Sequence, residues 1–149
     1  MTQIAEEDPR TAYDVFTAGL IADFRAHDGT FTEGPMAGRR ILLLTTTGAR
    51  SGQSRTCPLV YSRDGDDIII VASKGGAPTH PAWYANLRAH PEVTVEIGAE
   101  TFQADSIAIA GGPERDRLYA HHAEGEPSFL DYPTRTDRVI PVIRLARIR

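Results

Sequence analysis

Lys74 is the only lysine in the chain. It ends an apolar run and stands beside two glycines, in Val71-Ala72-Ser73-Lys74-Gly75-Gly76-Ala77-Pro78. Glycines there let a ligand approach the main chain closely, and Ser73 and Lys74 supply hydroxyl and ammonium donors. A flexible turn with an exposed lysine fits equally well. A second stretch, Thr45-Thr46-Thr47-Gly48-Ala49-Arg50-Ser51-Gly52-Gln53-Ser54-Arg55, carries an apolar run into a loop with two glycines and two arginines. Backbone N–H groups of such a loop can form an anion-binding nest. Arg50 and Arg55 add bidentate contacts to phosphate or carboxylate. The other reading is an ordinary hairpin loop with solvated arginines.

Two further stretches offer walls rather than charges. His80-Pro81-Ala82-Trp83-Tyr84-Ala85-Asn86-Leu87 reads as a short helix with Trp83 and Leu87 on one face and Ala82 and Asn86 on another. Trp83 suits the core more than a cofactor platform, and Asn86 reaches a ligand or a neighbouring loop. In Glu126-Pro127-Ser128-Phe129-Leu130-Asp131-Tyr132, Phe129 and Tyr132 wall an apolar substrate cavity or pack on the fold. There is no G-x-S-x-G elbow and no P-loop or G-x-G-x-x-G fingerprint. His121-His122 lacks an H-E-x-x-H context and reads as polar helix surface. Cys57, next to Pro58, reads as a small core residue. One cysteine and five scattered histidines argue against a metal site. With no nucleophile and no acid/base pair in view, enzymatic reactivity is expected from a bound cofactor, the protein supplying position and electrostatics.

Charge is segregated. Met36–Arg63 and Ile68–Pro91 hold seven positive charges and no acid, in a chain whose net charge is -4. Such windows suit an anionic small molecule or a set of solvated arginines. The acidic balance argues against general nucleic-acid binding.

The elements that must position these residues fit one domain over residues 1–149. Hydrophobic residues make up 41% and charged residues 24%, as in globular chains. No apolar run reaches the length of a membrane span. Met1–Arg10 shows no secretory signal, and a lone cysteine points to a reducing, cytoplasmic compartment. Tyr13, Phe16, Leu20, Ile21 and Phe24 recur at helical spacing and predict a helix over Pro9–His27. Gly29, Gly34, Pro35 and Gly38 mark a loop. Strands are expected at Ile41–Thr47, Thr56–Arg63, Asp67–Ser73, Val93–Ile97, Thr101–Ala110 and Arg138–Ile148, with a hairpin turn at Asp64-Gly65-Asp66. Helices are expected at Pro81–Ala89 and, polar, at Pro113–Ala123. Hairpins dominate, so parallel βαβ architecture does not fit. The fold class is mainly β (α+β): about six antiparallel strands closing into a small barrel to remove their edges, with an N-terminal helix and short connecting helices.

Leu43–Gly52, Ala72–Pro78 and Pro81–Leu87 together resemble the deazaflavin (coenzyme F420)-dependent nitroreductase family of actinobacteria, which includes F420H2-dependent quinone reductases. Thr136-Asp137-Arg138-Val139-Ile140-Pro141-Val142 is similar to its closing strand, and the resemblance spans about Pro9 to Ile143. It implies a split β-barrel with coenzyme F420 lying in a groove across it, and no metal. The coenzyme's tail is polyanionic, in accord with the two basic windows. By the family pattern, Ala49, Arg50, Ser51, Gln53, Ser54 and Arg55 bind the phosphate and tail. Pro58, Ala72, Ser73, Lys74 and Gly75 hold the phosphate and ring, and Ala82, Trp83 and Asn86 line the groove. The N-terminal helix borders the substrate opening, bringing Phe24 beside Glu126, Phe129 and Tyr132.

Two departures qualify this. The family's nitroimidazole-activating member has three tyrosines where this chain has Glu126, Phe129 and Tyr132, which argues against nitroimidazole reduction and, through Glu126, against anionic substrates. Ala49 replaces a basic residue, which loosens the grip on the tail. The resemblance implies an oxidoreductase that passes hydride from the reduced deazaflavin to a quinone, enone, lactone or nitroaromatic acceptor, by orientation over the ring. Ser73 and Tyr132 would then be the catalytic hydrogen-bond donors. The alternative is a barrel that binds a flavin, haem or lipid-like ligand without turnover. Either monomer or homodimer fits. Membrane association is expected to be weak, peripheral and confined to the inner face of the plasma membrane, because Glu6, Glu7, Asp8 and Asp14 flank the amphipathic helix.

Overall fold

The computed structural model describes residues 9–31, 34 and 36–148, with side chains from residue 15 onward. The acidic flank Glu6, Glu7 and Asp8 and the loop residue Pro35 lie outside them. Helix α1 is Pro9–Ala26, α2 is Ala82–Ala89 and α3 is Pro113–Gly125. Seven strands follow: β1 (Ile41–Thr47), β2 (Ser54–Val60), β3 (Ser62–Asp64), β4 (Asp67–Val71), β5 (Glu92–Ile97), β6 (Glu100–Ile109) and β7 (Val142–Arg147). They form one antiparallel sheet in the order β2-β1-β5-β6-β7-β4-β3.

The unbroken apolar runs in β1 and β4 are explained by burial on both faces. Leu42, Leu44, Ile68 and Ile70 join Val93, Val95, Phe102, Ile143 and Leu145 in the barrel interior. Their neighbours face outward under helices. Ile41 and Leu43 pack with Phe24 and Phe31. Ile69 and Val71 pack with Leu118, Tyr119 and Ala123 of α3. α3 is therefore less polar in role than its composition suggests, since one face closes a core.

The run expected as one strand, Thr56–Arg63, divides at Tyr61, giving seven strands rather than about six. β2 pairs with β1 at one edge, Pro58 facing Leu43. β3 pairs with β4 at the other edge. The chain crosses between them at Tyr61, whose N–H donates to the Arg40 carbonyl (3.1 Å). Two consecutive strands at opposite edges require the sheet to curl until those edges meet, which makes it a split β-barrel. Pro58, which lacks an N–H, is tolerated because β2 is an edge strand. The last strand begins at Val142 rather than Arg138; Pro141 cannot donate to a ladder, and Arg138 turns to another task.

His122 is a second correction. It is 1% exposed, its Nδ1 is 2.8 Å from the Ser62 hydroxyl, and its Nε2 has no partner. Burial pulls its pKa down to about 4. A helical face reading Leu118, Tyr119, His122, Ala123 carries it inward. Its neighbour His121 is exposed, as expected.

Candidate functional site

Two adjoining cavities form one groove across the barrel. One, about 320 Å³, lies between the β1–β2 loop (Gly48, Ala49, Arg50, Ser51), Arg55, and Ala82, Ala85 and Asn86 of α2. The other, about 630 Å³, is walled by Cys57, Pro58 and Leu59 of β2, the turn Ser73-Lys74-Gly75, and Pro81, Ala82 and Trp83. They meet at Ala82. The groove thus has a cationic end and a mainly apolar end.

The β1–β2 loop is held from within. Gly48 N–H donates to the Gln53 carbonyl (2.8 Å) and Gln53 N–H to the Ser51 hydroxyl (3.2 Å). Asn86 braces it from α2: its Oδ1 accepts from Ala49 N–H (3.0 Å) and its Nδ2 donates to Thr46 (3.1 Å). Arg50 and Arg55 remain exposed, with no carboxylate partner among the described residues.

The turn after β4 has unusual backbone. Ser73 is right-handed helical (φ -76°, ψ -39°), while Lys74 (φ 47°) and Gly75 (φ 63°) are left-handed. A right-handed residue followed by a left-handed one brings successive N–H groups together as an anion nest. A left-handed lysine costs about 1 kcal/mol or more and points to function. A Cβ on Gly75 would meet nothing within 4 Å, so the turn has an open side. Lys74 Nζ donates to Thr79 (3.2 Å). Burial pushes the Cys57 thiol up to about 12, so it stays protonated, as a core cysteine would.

Most predicted cofactor residues converge here: Ala49, Arg50, Ser51, Arg55, Pro58, Ser73, Lys74, Gly75, Ala82, Trp83 and Asn86. Gln53 and Ser54 complete the loop and strand behind it, and Ala72 is fully buried. Asn86 spends its amide on the loop rather than leaving it free. The basic windows contribute less than their count implied. Arg39 is bound to Glu126 (2.8 and 3.3 Å). Arg63 and Arg88 lie over the rings of Tyr61 and Tyr84.

The expected substrate residues are arranged differently. Phe24 is 1% exposed, packed on Phe31, and offers no face to an opening. Glu126 faces a separate cavity of about 400 Å³ with Arg39, Arg40, Tyr61, Ser62 and His122. Its charge is neutralised by Arg39, which removes the expected repulsion of anions. The Phe129 ring lies 4.4 Å from His122 and 5.0 Å from Tyr132. Tyr132 is half-buried, and its carbonyl presses on Gly76, where a Cβ would approach within 2.9 Å. The segment carrying it therefore leans on the Ser73–Ala77 turn.

Arg138 is the site-building residue that sequence reading missed. Its guanidinium donates to the carbonyls of Ala77 (2.8 Å), Ala72 (3.2 Å) and Ser73 (2.8 Å) and to His80 Nδ1 (2.9 Å). The only sequence signal was its place in Thr136-Asp137-Arg138.

The residues fit a long ligand with a planar ring and an anionic tail: arginines with no carboxylate partner among the described residues in one cavity, and an amide nest beside apolar walls in the other. Comparison with known proteins identifies the family. Residues 20–146 match the model of the family described as F420H(2)-dependent quinone reductase. An F420H(2)-dependent quinone reductase of Mycobacterium tuberculosis is 41% identical over 133 residues, covering 83% of this chain and 89% of that protein. A solved F420-H2 dependent reductase (FDR-A) is 40% identical, with TM-score 0.66 over 72% of this chain and 94% of that one. A solved domain-swapped dimer is 34% identical, with TM-score 0.67 over 91% and 98%.

Proposed function

The chain belongs to the F420H(2)-dependent quinone reductase family, and on that premise we propose that it reduces a quinone-type acceptor held against the apolar end of the groove. The groove's division into cationic and apolar ends carries the reading. When bound, the reduced deazaflavin supplies a hydride equivalent at its ring. The chain does the rest. Arg50 and Arg55 bind the tail carboxylates through charge-assisted contacts. The Ser73–Gly75 amides and Lys74 hold the phosphate. Cys57–Leu59, Ala82 and Trp83 exclude water from one face of the ring. The hydroxyls of Ser73 and Tyr132 donate to negative charge developing on the acceptor oxygen. Solvent or Tyr132 delivers the proton.

Quinones, enones and lactones fit this apolar end; nitroaromatics fit by the same electron demand. No helix among the described residues is long and apolar enough to cross a membrane. We place the reaction in the cytoplasm of an actinobacterium, with lipid-borne quinone met at the inner face of the plasma membrane. A homodimer is the assembly we favour, because a relative of the same fold is a domain-swapped dimer.

Mixing the protein with reduced coenzyme F420 and a menadione-like quinone tests this, read as loss of the reduced absorbance and return of oxidised fluorescence. Reoxidation well above the protein-free rate is expected. Reoxidation at the protein-free rate, with binding intact, would make the chain a binding protein instead.

A further inference from the structure

We infer that Arg138 is a positioning residue: by drawing the carbonyls of Ala72, Ser73 and Ala77 onto one guanidinium, it sets the Ser73–Gly75 amides toward the groove and governs recognition of the coenzyme's phosphate without touching it. The inference rests on the reading of the groove as a deazaflavin site.

A guanidinium has five N–H donors in a rigid plane, and Arg138 uses four of them on one short stretch of chain. Ser73 shows why this matters. Its carbonyl accepts from Arg138 Nη2 (2.8 Å) and from Gly76 N–H (2.9 Å). Both lone pairs are engaged, so the peptide that follows cannot rotate. That rotation is what separates a right-handed Ser73 followed by a left-handed Lys74 from an extended strand end. A carbonyl turned into the groove would place a partial negative charge beside an anion. Arg138 holds three of them away.

The same guanidinium reaches a second wall. A guanidinium only donates, so His80 Nδ1 must accept and carries no proton. The His80 ring rests on Tyr84 of α2 (centroids 4.9 Å), the helix that supplies Ala82 and Trp83. The turn is also tied to the chain leading into β7, where Ala72 N–H donates to the Pro141 carbonyl (3.0 Å). Arg138 thus joins the nest, the groove helix and the C-terminal segment at one point. A lysine in its place has no planar fork and holds fewer carbonyls.

The experiment compares Arg138→Met and Arg138→Lys with the unaltered chain. Affinity is measured by fluorescence titration for two ligands: complete coenzyme F420, and a riboflavin-level 5-deazaflavin that has the ring but no phosphate. Arg138→Met is expected to weaken the complete coenzyme about thirtyfold and the phosphate-free ligand, held only by the ring wall that His80 and Tyr84 support, by no more than about threefold. Arg138→Lys is expected to fall between. In the ligand-free protein, hydrogen exchange at the Gly76 and Ala77 amides should quicken in Arg138→Met, while Gly48 and Gly52 in the other loop keep their rates. Equal weakening for both ligands, or for neither, would overturn the inference and leave Arg138 a packing residue. Should Arg138→Met fail to fold, Arg138→Lys carries the same two-ligand comparison. An unaltered chain that does not bind either ligand would instead defeat the reading of the groove.

Discussion

At the β3–β4 hairpin, arginine is spent on carboxylates. Asp64 accepts from Arg117 and Arg144, Asp67 from Arg144, and Glu114 from both arginines. This cluster ties the hairpin, α3 and β7 together. At the groove, Arg50 and Arg55 have no such partner among the described residues, and Lys74 is held in a left-handed backbone. The same kind of charge serves two ends. In the first region it closes the fold. In the second, two arginines line one cavity with no carboxylate between them, and an incoming anion would supply the missing partner. What marks a binding site here is the absence of compensation, not the count of positive residues.

The sharpest way to break this contrast is to remove charge from each region in turn. The double variant Arg50→Ala, Arg55→Ala is expected to lose about a hundredfold in affinity for complete coenzyme F420, on the order of tenfold per charge-assisted contact. Its salt dependence should flatten, because fewer charges remain to be screened. Arg117→Ala should leave that affinity alone. Fluorescence titrations at low and high salt decide it, and equal losses in the two regions would dissolve the distinction.

Glycines sharpen it next. Gly76 has φ 82°, and a Cβ there would lie 2.9 Å from Arg135 Cβ and 2.9 Å from the Tyr132 carbonyl. Gly65, in the hairpin turn, has φ 63° and open space. Gly76→Ala should cost about 3 kcal/mol, from overpacking plus backbone strain. Gly65→Ala should cost about 1 kcal/mol, from strain alone. Urea unfolding measures both. Similar values would mean that the turn yields where the geometry says it cannot.

The smallest expected effect concerns acid. Burial holds the His122 pKa near 4 in the folded chain, below the 6.5 of an ordinary imidazole. The unfolded chain therefore takes up that proton first. This contribution is full above about pH 6.5 and is lost as the pH falls towards 4. It is worth on the order of 2 kcal/mol, allowing for solvent reaching the ring. The Asp64 carboxyl is lowered to about 2 by hydrogen bonds from Arg117 and Arg144. Its contribution persists above about 3.8 and fades only as the pH drops through 2. Unfolding between pH 7 and 4.5 should thus show a slope that His122→Leu reduces and Arg117→Ala does not, the remainder belonging to His80, whose pKa burial and the neighbouring arginines also lower; an unchanged slope in His122→Leu would place the proton elsewhere.

Local signals made much of the fold legible. The Asp64-Gly65-Asp66 turn, the apolar run of β1 and the helix after Pro81 follow from a few neighbouring residues. The division at Tyr61 does not. Cys57, Leu59 and Tyr61 continue one inward alternation, and only closure of the distant sheet edges moves the chain from β2 to β3. His122 was hidden likewise, because its partner Ser62 comes from a strand sixty residues away. The groove was visible as glycines, arginines and a lone lysine. That Arg39 is spent on Glu126, and that Arg138 serves the turn rather than a strand, depends on contacts across the molecule that composition does not record.

The crossing at Tyr61 also bears on how the chain finds its shape. The β1–β2 and β5–β6 ladders join segments close in sequence, whereas β4 must wait for β7, with Ile68 opposite Leu145. Closing so large a loop is entropically slow. We therefore expect local hairpins to appear early in refolding and the β4–β7 pairing last. Substitutions along that late seam, such as Ile70→Val, should speed unfolding and barely alter the rate of folding.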